Sequence, residues 1–227
     1  MTDTVFYIAL LIPALIVAIV FHEVAHGMVA KWLGDPTASS LGRLSFNPIR
    51  HVDPVGTLLI PGAMILMGGP PFGWAKPVPV VKQRLNNPRV DMMWVAAAGP
   101  GMNLLLALAA SLALGLFAPL LAVGIGGEPS FAAQALLTFL YLNIFLAIFN
   151  LLPIPPFDGS HIAEGLLPEK MARSYAKLRN LGMGLFFLLI ALIWVFPEWD
   201  VLGRTVLVPV NWLMGKYLDL ASVFAGN

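Results

Sequence analysis

The chain has no cysteine. Disulfides and thiolate metal sites are thereby excluded, and any metal must be held by His, Asp or Glu. Charge is scarce as well. Only 11% of the 227 residues are Asp, Glu, Lys or Arg, and 59% are hydrophobic. A soluble domain carries about 25% charged residues, so this chain lacks the charge to cover a water-facing surface. Its mean hydropathy of +0.84 agrees. The net charge is only +1 and the basic residues are dispersed, which excludes nucleic acid as a partner. Repeats and low-complexity tracts are missing, and so is any polar stretch long enough for a soluble appendage. The expectation is one membrane domain over residues 1–227.

Long apolar runs are what is present. They predict membrane spans over about 5–33, 92–121, 131–152 and 181–196. The stretch 206–224 is weaker, with Pro209, Asn211, Lys216 and Asp219 in it, and reads either as a span or as an interfacial helix. The run 55–67 is too short to cross about 30 Å of hydrocarbon as a helix, so it reads as re-entrant or packed on the bundle. Before the first run stand Asp3 and no Lys or Arg, and no small-residue cleavage site follows. It therefore reads as a mature span rather than a signal peptide.

The basic residues orient these spans. Lys31, Arg43, Arg50, Lys76, Lys82, Arg84 and Arg89 lie between the first two. Lys170, Arg173, Lys177 and Arg179 lie between the third and fourth. These are eleven of the thirteen Lys and Arg. Two spans separate the groups, so both fall on one side, which the positive-inside rule makes cytoplasmic. The loop 122–130 has no Lys or Arg and belongs outside with the N-terminus.

The first span contains His22-Glu23-Val24-Ala25-His26. Residues i and i+4 share a helix face, so both imidazoles can reach one metal ion. Glu23, one residue along, is placed to act on a bound water; the spacing is that of zinc proteases. With four His and five Glu in the chain a chance match is rare, and ionisable groups in a membrane helix usually mark function. A hydrolytic zinc site takes a third protein ligand and keeps a position open. The candidates are His51, Asp53, Asp158, His161 and Glu164. His22 lies near the inward end of the first span and Asp158 just past the inward end of the third. Their matched depth favours Asp158. It sits in Asn150-Leu-Leu-Pro-Ile-Pro-Pro-Phe-Asp-Gly159, where three prolines prevent regular helix and Gly159 is expected to let the chain turn.

Three segments together resemble the site-2 protease family of intramembrane zinc metalloproteases: HEVAH at 22–26, AAAGPGMN at 96–103 and NLLPIPPFDG at 150–159. GRLSFNPIRHVDPVGTLLIP at 42–61 and FGWAKPVPV at 72–80 resemble a compact subgroup without a PDZ or CBS domain. The resemblance implies one Zn2+ held by His22, His26 and Asp158, with Glu23 as catalytic acid/base. It further implies Asn150 beside the metal, polarising a carbonyl or stabilising an oxyanion. The implied activity is hydrolysis of peptide bonds within or next to transmembrane segments, in regulated intramembrane proteolysis. A catalytically silent metal-binding homologue, acting as a binding partner, is the alternative.

The expected fold is an all-α polytopic membrane protein: a helical transmembrane bundle with a re-entrant or membrane-associated loop or β-ribbon near the site. In the segment 73–81, Val78, Val80 and Val81 favour extended structure, while Pro77 and Pro79 confine it to an edge. Such an edge can pair with an unwound substrate. Ala96 to Gly101 is expected to allow close helix packing, Pro100 to kink that helix, and Asn103 to orient a ligand or the neighbouring loop. His51 and Asp53 are candidates for gating or a second metal site. The expected partners are a transmembrane protein substrate and the lipid bilayer, and the sequence is compatible with a homo-oligomer. The expected location is the cell (inner) membrane, with the active site toward the cytoplasm.

Overall fold

The computed structural model describes residues 2–66, 75–121 and 129–226. Parts of two expected features, the loop 122–130 and the segment 73–81, lie outside these residues. Among the described residues ten α-helices follow in order: α1 (Thr2–Trp32), α2 (Thr37–Ser40), α3 (Ile60–Leu66), α4 (Pro88–Leu116), α5 (Ala118–Leu121), α6 (Phe131–Asn150), α7 (Asp158–Leu166), α8 (Glu169–Ala176), α9 (Met183–Val195) and α10 (Val208–Phe224). No strand forms among the described residues. Among the described residues three helices are long and apolar enough to cross a membrane: Val5–Trp32, Pro88–Leu116 and Phe131–Asn150. The all-α polytopic expectation is met. The β-ribbon is not formed among the described residues.

Local chemistry sets the helix ends. Gly34, at φ +109°, follows the end of α1 in a conformation that favours glycine. Pro88 opens α4 at a position where its missing N–H costs nothing. The Asp91 carboxylate there accepts the Asn87 N–H at 2.6 Å. Ser130 caps α6 by accepting the Ala133 N–H at 3.2 Å. Pro100 lies inside α4 without interrupting it. The turns from Pro54 to Leu59 run directly into α3. Together they make a helical stretch of about 20 Å, short of the hydrocarbon thickness.

α4 is the central helix. It runs antiparallel to α1, since Ala18 lies beside Asn103 and His26 beside Val95. It runs antiparallel to α6 as well, and Ala107, Ala110, Leu140, Ile144, Val206 and Val210 form a buried core between α4, α6, the turn Gly203–Leu207 and the start of α10. α10 lies along α4 in the same direction. The Tyr217 hydroxyl donates to the Leu104 carbonyl at 3.1 Å and the Tyr217 carbonyl accepts from Ser111 at 2.5 Å. One turn on, a Cβ on Gly115 would come within 2.4 Å of the Ala221 carbonyl oxygen. The stretch 206–224, read as a span or as an interfacial helix, is helical and packs lengthwise against α4. It continues helical turns that begin at Val201.

α9 has 13 residues, too few to cross unaided. The helical stretch Glu169–Leu181 meets it at a bend of 74°. Its Phe186 ring stands 5.9 Å from the Phe157 ring. Leu189 and Ile193 line an apolar cavity with Leu152, Pro153 and Ile154. α9 thus covers the proline-rich loop rather than the length of α4.

Candidate metal centre

Two helices and one loop converge where α1 crosses α4. His22 and His26 project from one face of α1 and both are buried. Asp158 opens α7, immediately after the loop broken by Pro153, Pro155 and Pro156. His22 Nε2 and His26 Nε2 are 3.0 Å apart, and Asp158 Oδ2 lies 3.2 Å and 3.4 Å from them. Among the described residues these three are the cluster able to hold a metal ion.

The other nitrogens fix the protons. His26 Nδ1 contacts the Val95 carbonyl at 2.7 Å. A carbonyl only accepts, so Nδ1 carries the proton. His22 Nδ1 lies 2.5 Å from Asn103 Oδ1. The Asn103 amide nitrogen donates to the Ala18 carbonyl at 3.2 Å and to Asn143 Oδ1 at 2.9 Å. The Asn143 nitrogen in turn donates to the Phe139 carbonyl at 2.8 Å. Two main-chain carbonyls therefore set the polarity of the whole relay, and His22 Nδ1 must be the donor to Asn103. In neutral imidazoles both Nε2 atoms are then bare lone pairs. They face each other and a buried Asp158 oxygen that takes no hydrogen bond. Three converging acceptors repel unless a cation lies among them. A tetrahedral ion with bonds of 2.0–2.1 Å separates its ligand atoms by about 3.3 Å, and the observed spacings bracket that figure. The residues fit a zinc ion.

Two glycines make the convergence possible. A Cβ on Gly99 would sit 2.4 Å from His26 Nε2 and 2.6 Å from His22 Cε1. Gly99 thus leaves room for both imidazoles, beyond the helix packing expected of it. A Cβ on Gly159 would lie 2.2 Å from the Leu151 carbonyl oxygen and 2.4 Å from that of Leu152. Its φ is not in the left-handed region. The glycine serves the close approach of α7 to the end of α6, not the turn that the sequence suggested.

The remaining candidates are placed elsewhere. Glu23 follows His22, and its Oε2 accepts the Val78 N–H at 2.7 Å. Asn150 ends α6, and its amide donates to the Leu146 carbonyl one turn back at 2.9 Å. His51 is buried and contacts the Ser45 carbonyl through Nε2 at 2.7 Å. Asp53 caps the Pro54 turn, accepting the Val55 and Gly56 N–H groups at 2.9 and 2.7 Å. Glu164 is buried against Lys82, 2.9 Å away, and Arg179. His161 lies one turn beyond Asp158, and burial together with Arg179 and Lys82 pushes it down to about 4. None of the last four joins the three-residue cluster.

The segment 75–81 is extended but pairs with no strand among the described residues. The Lys76 N–H donates to the His51 carbonyl at 2.8 Å and the Val81 N–H to Asp35 Oδ2 at 2.6 Å. Arg43 donates to the Lys76 and Pro77 carbonyls at 3.0 and 3.4 Å. Asn143, Gly99 as room for the imidazoles, and the Val78 N–H escaped the sequence reading. An Asn inside the third apolar run was a usable signal for the first of them.

The family described as Peptidase family M50 matches residues 10–130 and 121–193. The chain is 39% identical over 184 residues to the Bacillus subtilis (strain 168) protein named "Putative zinc metalloprotease YwhC", covering 79% of this chain and 78% of that one. It is 28% identical over 190 residues to "Putative zinc metalloprotease Rip2" of Mycolicibacterium smegmatis, covering 83% and 67%. To the Mycobacterium tuberculosis (strain H37Rv) protein of the same name it is 32% identical over 182 residues, covering 80% and 65%. No solved structure matches. Matched over most of its length, the chain belongs to peptidase family M50, the site-2 protease family.

Proposed function

We propose that this protein is an intramembrane zinc metalloendopeptidase. It hydrolyses peptide bonds within or next to transmembrane segments of membrane proteins, in regulated intramembrane proteolysis, with its site toward the cytoplasmic face of the cell membrane. His22, His26 and Asp158 hold one zinc ion. The observation that carries this reading is the set of three acceptor atoms at 3.0–3.4 Å, two of them imidazole nitrogens whose ring protons are committed to outward-facing partners. It is supported by the family and by the zinc metalloprotease names of the relatives.

The bound ion supplies Lewis acidity toward water and the scissile carbonyl. The chain's own residues do the rest. Asn103 and the Val95 carbonyl hold the imidazoles with Nε2 inward. Glu23 takes the proton of the attacking water and returns it to the amide nitrogen as the C–N bond breaks, giving a carboxylate and an amine. Asn150, on rotating away from the Leu146 carbonyl, is the residue proposed to hydrogen-bond the carbonyl oxygen. The substrate must be unwound first, because a membrane helix has its backbone groups bonded to one another.

Glu23→Gln tests the reading. It keeps the shape of the side chain, both imidazoles and Asp158, but cannot accept the proton. The expected result is a folded, zinc-loaded protein slowed by about 10⁴-fold, the upper end for general acid/base catalysis, on a transmembrane substrate in liposomes. Parental cleavage by a zinc-loaded Glu23→Gln protein would refute it.

A further inference from the structure

We propose that the main-chain N–H of Val78 is the positioning group for the Glu23 carboxylate, and that the segment Pro77-Val78-Pro79 is built around that task. The inference rests on Glu23 acting as the acid/base.

The N–H of Val78 donates to Glu23 Oε2 at 2.7 Å, across 55 residues of sequence. Neither flanking residue can compete, because proline has no N–H. Pro79 also confines Val78, the residue before it, to extended backbone. Val78 therefore presents a single donor in a fixed direction.

Its side chain is locked from the same helix. Gly27 lies one turn beyond Glu23 on that face of α1. A Cβ there would fall 2.8 Å from Val78 Cγ1 and 2.5 Å from Leu44 Cδ2. The missing Cβ is the notch into which Val78 fits, and Val78 is only 7% exposed. One residue thus addresses two positions of α1 a turn apart: its side chain sits over Gly27 and its N–H over Glu23. The segment is anchored on both sides, by Lys76 to the His51 carbonyl and by Val81 to Asp35. Holding Oε2 fixes the plane of the carboxylate and leaves Oε1 to exchange the proton.

The test uses the full chain, zinc-loaded, with a transmembrane substrate. V78P removes the donor, whereas V78A keeps it and loses only the notch contact. The kcat of V78P should fall about ten- to a hundredfold, the cost of a misplaced catalytic group, with KM and zinc content little changed. The kcat of V78A should exceed that of V78P by about tenfold. G27A, which fills the notch and pushes Val78 off α1 without touching the donor, should also lose kcat. A readout independent of turnover is amide hydrogen exchange of the 75–81 peptide, which should speed up in Glu23→Ala. Equal kcat in zinc-loaded V78P and V78A overturns the proposal. Should V78P fail to fold, parental kcat in G27A or unchanged exchange in Glu23→Ala overturns it equally. An active Glu23→Gln protein would instead sink the proposed function, which separates the two failures.

Discussion

Asn103 and His22 meet across the interface of α1 and α4, with His22 Nδ1 2.5 Å from Asn103 Oδ1, and this contact decides which imidazole nitrogen is free. Partners of this kind fix the tautomer of a metal-binding histidine, and losing them typically costs ten- to a hundredfold in metal affinity. Asn103→Leu should weaken zinc by about that factor while the protein keeps its helicity. Competition with a chelator of known affinity measures it. Parental affinity would show that the contact is incidental.

Gly99 offers a sharper discrimination. Alanine improves helix propensity by about 1 kcal/mol over glycine, so Gly99→Ala should not harm α4 as a helix. Its methyl group would nevertheless overlap both imidazoles. The expected outcome is a folded protein that binds little zinc. Gly101→Ala is the control, since nothing lies within 4 Å of its Cβ. It should bind zinc as the parent does. Metal analysis of the two proteins, side by side, checks the claim.

His161 predicts a pH dependence. Burial first, then the charges of Arg179 and Lys82, push it from 6.5 down to about 4. Below about pH 6.5 the unfolded chain binds a proton here that the folded chain refuses, so stability rises with pH through this window. The contribution is complete above 6.5 and is lost progressively as pH falls toward 4. His161→Gln should therefore show a shallower loss of thermal stability between pH 6.5 and 4. Parallel melting curves for the two proteins would contradict this.

The basic loops predict a topology. In this cysteine-free chain, a cysteine at Ser174 should react with an impermeant reagent only once the cytoplasmic side is opened. Labelling in intact cells would reverse the orientation.

What was legible in the sequence was local. The i,i+4 pair of His22 and His26 needs only a helix, and the length of an apolar run needs only the bilayer. Asp158 was singled out because its place just past the inward end of the third apolar run matches the depth of His22. The reason for Gly159 was not legible, because it depends on the carbonyls of Leu151 and Leu152 folding back beneath it. Asn143 carries its meaning only once α6 lies against α4. The Val78 donor is a main-chain group, which no side-chain pattern announces. The register of 201–224 against α4 likewise follows from pairs such as Ser111 with Tyr217, distant in sequence and unremarkable alone.

That parallel pairing has a consequence of parity. Successive crossings alternate in direction, so a helix parallel to α4 and following α6 must be separated from α4 by an odd number of intervening crossings. α6 already supplies one. α9 therefore cannot be a complete crossing if α10 is one. After the 74° bend and α9 the chain returns to Ile154, where Val201 lines the same cavity. The Phe224 end of α10 therefore lies at the same end of the bundle as the Thr2 end of α1, away from His22, His26 and Asp158.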